Sequence, residues 1–153
     1  MNLNPAHWHL LVNHLPVIGV MFATLILLWG MLRRSVPIVN LSLLLLVACA
    51  VFSITASQTG GNAEDYLKGL KAIDKTYLEP HVAAADIANY SMIAVGVLAL
   101  IMLIFKRIRN VSFMLYLILI ASIVVCVLMA RTANLGGQIM HKEIRNDHSQ
   151  IKL

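Results

Sequence analysis

"HWHLLVNHLPVIGVMFATLILLWGMLRR" runs from His7 to Arg34 and meets no charged side chain before Arg33. An apolar run of this length is more than the ~20 residues that cross a bilayer as an α-helix. Asn4 is a fitting N-cap and Pro5 a fitting first helical residue, so the helix is expected over 5–32. Pro16 is expected to kink it, and Arg33 and Arg34 end it. Three of its residues, His7, His9 and His14, do not belong in hydrocarbon. They need a separate explanation.

Three similar blocks follow, expected as helices over 37–58, 80–105 and 111–135. Only 12% of the 153 residues are charged, about half the ~25% of a soluble domain. A soluble helical bundle would carry a polar stripe along each helix. These blocks are apolar all round. The expected fold is therefore all-α, a single membrane domain over 1–153 built as a four-transmembrane-helix bundle in the lipid bilayer. Thr59-Gly60-Gly61 reads as the stop of the second helix, and Leu135-Gly136-Gly137 as that of the fourth. Between the second and third helices, Tyr66, Leu67, Leu70, Ile73 and Tyr77 recur at helical spacing. That pattern predicts a short amphipathic helix on the membrane surface. A polar tail, 138–153, closes the chain.

The N-terminus has no basic stretch and no small-residue cleavage site, so the first helix is expected to persist. Cys49 and Cys126 lie inside apolar blocks and read as small hydrophobes. No CxxCH occurs, which excludes covalently attached c-type haem. No nucleophile or hydrolytic triad appears, and whether the chain is an enzyme stays open.

The formal charge of +5 resides in two short loops, Arg33–Arg34 and Lys106–Arg109. Neither contains an acid. All seven acidic residues lie elsewhere, balanced by the remaining seven basic ones. This is the positive-inside pattern. It predicts a multi-pass protein of the bacterial cytoplasmic (inner) membrane, with both termini and the 60–79 segment on the outer side. The basic character thus reports topology, and no nucleic-acid partner is expected. A weak internal echo pairs Pro5-Ala6-His7 with Pro80-His81, and Gly60-Gly61 with Gly136-Gly137.

Counting residues from the basic loops gives depth at ~1.5 Å each. His14 is nineteen residues from Arg33, Asp86 twenty from Lys106, Arg131 twenty-one from Asn110 and Ser57 twenty from Pro37. With Asn13, Asn89, Thr132 and Asn134 they are expected to form one polar layer near the outer edge of the hydrocarbon. Asp86 and Arg131 could pair between the third and fourth helices, or Arg131 could hold an anionic group. His7, His9 and His81 form a shallower layer, and a turn at the glycines could fold His141 back to it. His148, in the tail, reads as a bystander. Imidazole suits haem iron, copper and zinc. The alternative is that these histidines only anchor helix ends at the interface. His14 is the deepest, about 10 Å further in than His7. It is expected to be a ligand, with Asp86 as a partner for its second nitrogen.

Several motifs are familiar. "NHLP" (13–16), "TGGNAED" (59–65), "EPHVAAADIA" (79–88) and "ARTANLGGQIMHKEIR" (130–145) resemble a bacterial family of four-helix integral membrane proteins catalogued as a domain of unknown function. Members are linked to Rieske and cytochrome modules, which implies membrane electron transfer. The matching positions are His9, His14, His81 and His141. The acidic residue frequent after the third-helix histidine is Val82 here, leaving Glu79 or Asp86 to supply a carboxylate.

Two readings follow. In the first, a b-type haem is held by two histidines near the outer surface, His14 with His81 or His9 with His141, and His7 as a substitute. Arg131 and Lys142 would meet the propionates. Quinol and a cytochrome or Rieske-type carrier would be the redox partners. In the second, the chain is a non-redox accessory subunit of a larger respiratory complex, or a histidine-based copper or zinc protein.

Overall fold

The computed structural model describes residues 4–69 and 74–145, and they are helical almost throughout. Helices α1 (Pro5–Leu32), α2 (Val36–Gly69), α3 (Lys75–Ile104) and α5 (Ser112–Met140) carry the fold; α4 (Lys106–Arg109) is a single turn, and a 3-10 turn covers Lys142–Ile144. The four long helices are each long and apolar enough to cross a membrane. Outward-facing Phe22, Leu25, Leu44, Val97, Ile120 and Val127 give the bundle the apolar exterior that a bilayer favours.

The start of α1 matches its sequence signals. The Asn4 side chain accepts the His7 amide at 3.0 Å, and α1 runs unbroken through Pro16, whose ring is buried. The glycine pairs behave differently from expectation. No glycine among the described residues has positive φ, so neither pair makes the left-handed stop that ends many helices. Consequently α2 continues through Gly60-Gly61 to Gly69, and α5 through Gly136-Gly137 to Met140. The separate surface helix is thereby corrected. Tyr66 and Leu67 belong to the last turns of α2 and Tyr77 to the first turn of α3, while Leu70 and Ile73 lie outside the described residues. Asp74 caps α3 by accepting the Thr76 amide at 2.9 Å, and that bond holds its carboxyl below the usual range.

The helices form a ring in the order α1–α2–α3–α5, with α5 packed on α1. Diagonal partners α1 and α3 do not touch closely. One end of the ring carries the basic turns after α1 and α3. The other carries the N-termini of α1 and α3 and the C-termini of α2 and α5, and is here the histidine end. Between them lies a core of Val20, Leu27, Leu43, Leu46, Met92 and Ile118, all 0% exposed.

The core is a repeat. All six buried residues of α1 (Pro16, Val20, Ala23, Thr24, Leu27, Gly30) map, 72 positions later, onto buried residues of α3: Ala88, Met92, Val95, Gly96, Ala99 and Met102. Ser42, Leu46, Cys49 and Ser53 of α2 map, 76 positions later, onto buried Ile118, Ser122, Val125 and Met129 of α5. The two hairpins, α1–α2 and α3–α5, thus present equivalent faces about a pseudo-two-fold axis along the bundle. Parallel repeats of this kind are known in membrane proteins. The glycine pairs fit this register, Gly60 with Gly136. The expected match of His7 to His81 does not: the true counterpart of His81 is His9.

Small residues set the helix spacing. A Cβ on Gly19 would lie 2.7 Å from Cys49 Sγ, one on Gly30 would lie 2.9 Å from the Val39 nitrogen, and one on Gly96 would run into the Ala50 methyl. Lipid supplies little hydrophobic drive for helix association, so such close approach matters more than it would in water.

Candidate functional site

The repeat brings two histidines into equivalent seats. His9, half-buried in the second turn of α1, has Nδ1 3.1 Å from the Ala56 carbonyl and 3.4 Å from Thr59 Oγ1 on α2. His81, half-buried near the start of α3, has Nδ1 3.1 Å from the Thr132 carbonyl on α5. In each case the accepting carbonyl lies one helical turn before a glycine, and the imidazole packs over that glycine. A Cβ at Gly60 would stand 3.2 Å from His9 Cε1, and one at Gly136 would stand 3.0 Å from His81 Cε1. The glycines, read from sequence as helix stops, are flat seats for imidazole rings.

The hydrogen bonds decide the chemistry of both rings. A carbonyl only accepts, so Nδ1 carries the proton and donates. The neutral ring then keeps its lone pair on Nε2, the nitrogen free to bind a metal or accept a proton. The same tautomer is imposed twice, from opposite sides of the bundle. The two rings lie on the diagonal helices α1 and α3.

One turn inward from His9 on the same face is Asn13. Its Oδ1 is buried and, among the described residues, is the one buried side-chain oxygen or nitrogen without a hydrogen-bond partner. Buried acceptors are nearly always satisfied, so this atom marks a place that favours a donor. Nearby, Ser53 Oγ donates to Asn89 Oδ1 at 2.8 Å, joining α2 to α3.

The other predicted site residues fall elsewhere, and helical phase explains most of them. His14 is exposed, and its Nδ1 turns back to the carbonyl of Leu10 at 2.7 Å. Five residues rotate a helix by ~140°, so with His9 facing inward, His14 faces out. The inward His14, with Asp86 at its second nitrogen, is therefore corrected. Asp86 stands in the same relation to His81. It is exposed, as is Arg131. No ion pair joins them among the described residues, which corrects the expected α3–α5 bridge. His7, seven residues from His14 and on the same outward face, serves the N-cap, with Nδ1 2.9 Å from Asn4 Oδ1. Asn134 is exposed and accepts from Gln138 Nε2 at 2.9 Å.

His141 is the C-cap of α5. Because α5 runs through its glycines, the chain does not fold this residue back beside His9. Its exposed ring instead meets Glu143 Oε1 at 3.0 Å. The Glu143 carboxyl is held below its usual range by its own backbone amide and by this imidazole. The pairings His14 with His81 and His9 with His141 are thus not brought together, whereas His9 and His81 occupy matching positions. The Lys142 side chain and all of His148 lie outside the described residues.

Sequence reasoning missed three contributors: the Ala56 and Thr132 carbonyls, the glycine seats, and Arg145. Arg145 donates from Nε to the Gln138 carbonyl at 2.8 Å and from Nη2 to the Ile139 carbonyl at 2.9 Å. Its guanidinium also lies 3.9 Å over the Tyr77 ring. It therefore closes the C-terminus of α5 and ties it to α3. A basic residue just past a helix end was the available signal.

Among the described residues, no three His, Cys, Asp or Glu side chains gather into a metal-binding group. A copper or zinc site built by protein alone needs such a set. Comparison with known protein families, curated proteins and solved structures finds no match to this chain.

Proposed function

We propose that the protein is a b-type haem electron-transfer protein, in which His9 and His81 would hold the iron. The observation that supports this most is the duplicated seat: two imidazoles from facing hairpins, each with Nδ1 bonded to a backbone carbonyl and Nε2 left open. Haem iron needs only two protein nitrogens, because the porphyrin provides the other four. Four-helix bundles build cofactor sites from side chains on facing helices. The repeat adds a reason for one group rather than two: each hairpin would contribute one equivalent imidazole to it.

Bound haem would supply one-electron chemistry. The chain's part is to hold and orient. The carbonyl bonds fix the tautomer and ring plane of each histidine, as second-shell acceptors do for metal-ligating histidines generally. The glycines set how deeply each ring sits, and the apolar bundle beneath excludes water. Arg131, exposed at this end and in no ion pair among the described residues, would be available to a propionate. Electrons would pass between quinol in the membrane and a cytochrome or Rieske-type carrier, partners suggested by the family resemblance.

The visible spectrum of detergent-purified protein, with iron analysis, tests the reading directly. A Soret band, a sharp α-band on reduction and one iron per chain are expected. A colourless, iron-free protein from haem-replete cells would reject it.

The charge asymmetry supports placing the basic turns in the cytoplasm and the histidine end outside, in a bacterial inner membrane. Cysteine introduced at Lys75 is expected to react with an impermeant maleimide on intact spheroplasts, and cysteine at Ser35 is not. Reversed labelling would move the site to the cytoplasmic face.

A further inference from the structure

The basic end holds a second polar feature, unrelated to the histidines. A cavity of about 460 Å³ opens between the end of α1 and the starts of α2 and α5, lined in part by Gly30, Arg34, Ser35, Arg109, Asn110 and Ser112. Arg109 is only 8% exposed. Among the described residues its guanidinium makes one hydrogen bond, from Nη1 to Asn40 Oδ1 at 2.8 Å, and no ion pair. None can come from nearby sequence, since no acid occurs before Glu64 or between Asp86 and Glu143. A buried charge without a counter-ion is costly, and four of its five N–H donors are uncommitted.

Other groups around the cavity carry the same sign. Arg34 stands in left-handed backbone conformation, φ 48°, and lines the cavity. Its neighbour Arg33 turns away and lies 5.7 Å over the Trp29 ring. The first turn of α5 begins at Ser112 with no side-chain cap, and Ser112 lines the cavity, so the positive end of a 29-residue helix stands at its edge. Trp29 and Tyr116 are both exposed at this level, and Tyr116 lines the cavity. Exposed Trp and Tyr mark the depth of lipid headgroups.

We infer that this cavity is a binding site for the phosphate of an anionic phospholipid, held by Arg109, Arg34 and the first amides of α5. Basic pockets between transmembrane helices at the cytoplasmic side take anionic headgroups in this way. Arginine suits the role because its planar fork meets two phosphate oxygens at once. The bound lipid neutralises Arg109 and clamps α5 to the α1–α2 turn, so it strengthens the α1–α5 contact.

The test uses delipidated protein in neutral detergent at fixed ionic strength. Phosphatidylglycerol is expected to raise the melting temperature by about 5 °C at saturation, and phosphatidylcholine by much less. Arg109→Gln and Arg34→Gln are each expected to remove most of that shift. Arg107→Gln, an equal charge change at the same end but away from the cavity, is expected to keep it. Should Arg109→Gln fail to fold, the comparison of Arg34→Gln with Arg107→Gln decides alone. Equal stabilisation by both lipids, or equal loss in Arg107→Gln, would overturn the site. Inorganic phosphate stabilising as strongly as phosphatidylglycerol would overturn the lipid assignment in favour of a free anion.

Discussion

His9→Ala and His81→Ala are each expected to abolish the Soret band of the purified protein, while His7→Ala, His14→Ala and His141→Ala retain it. Loss of an outer-sphere partner typically weakens metal binding 10–100-fold, so removal of an axial ligand is expected to cost roughly 100-fold or more. The two inward rings are the ones held by carbonyls of a neighbouring helix, Ala56 and Thr132. Among the described residues, the other three bond to residues within four positions of themselves, namely Asn4, Leu10 and Glu143. Added imidazole is expected to restore the band in His9→Ala, because Gly60 leaves a ring-shaped space beside α2. That rescue separates a ligand from a merely structural histidine. A full complement of haem in either variant would reject the His9–His81 pair, and loss in His14→Ala alone would return the assignment to the outward face.

The second large effect is expected at Gly96. Its Cα faces Ala50 so closely that any side chain must push α3 away from α2. Overpacking of this kind costs ~1–3 kcal/mol, and Gly96→Leu belongs at or above the upper end. A fall in melting temperature of ~5 °C or more is expected for a chain of this length. The repeat supplies the control. The pseudo-symmetric positions are Thr24 and Cys126, where α1 and α5 stand far enough apart for Thr24 Oγ1 to lie 3.6 Å from Cys126 Sγ. The double exchange Ala50→Gly with Gly96→Ala returns one methyl to the interface and is expected to recover most of the loss seen in Gly96→Ala. A Gly96→Leu protein that melts like the parent would mean that α2 and α3 do not pack as described.

Length and hydropathy sufficed to find the four spans. Pro5–Leu32 appears with the bounds expected from Asn4, Pro5 and the arginine pair, and α3 and α5 end or begin within a residue of expectation at the basic end. Departures collect at the histidine end, where the sequence reads Gly60 and Gly136 as stops and the helices continue through them. A glycine pair has two uses, a left-handed turn or a close approach, and local sequence does not distinguish them. The approaching group, His9 or His81, comes from a helix 51 to 55 positions away along the chain (His9 to Gly60, His81 to Gly136). That information is tertiary.

The candidate site divides the same way. Depth along each helix is a matter of counting, and the sequence alone put His9 and His81 at one end, above Asn13 and Asn89. Rotation about each helix is another matter. In water, the buried face of a helix is its apolar face, and phase can be read from the pattern. In lipid, the outward face is as apolar as the core: Phe22, Leu25 and Trp29 face out while Val20, Ala23 and Leu27 face in. With that contrast gone, His9 and His14 were equally eligible to point inward. Only the packing of small residues against their neighbours, Gly19 on Cys49 and Gly96 on Ala50, sets the rotation. The sequence by itself therefore determined how many helices there are, where they meet the basic turns, and how far along its helix from those turns each polar group lies. The tertiary structure decided which of those groups face one another, because close contact between helices is the only term that distinguishes inside from outside once both are hydrocarbon.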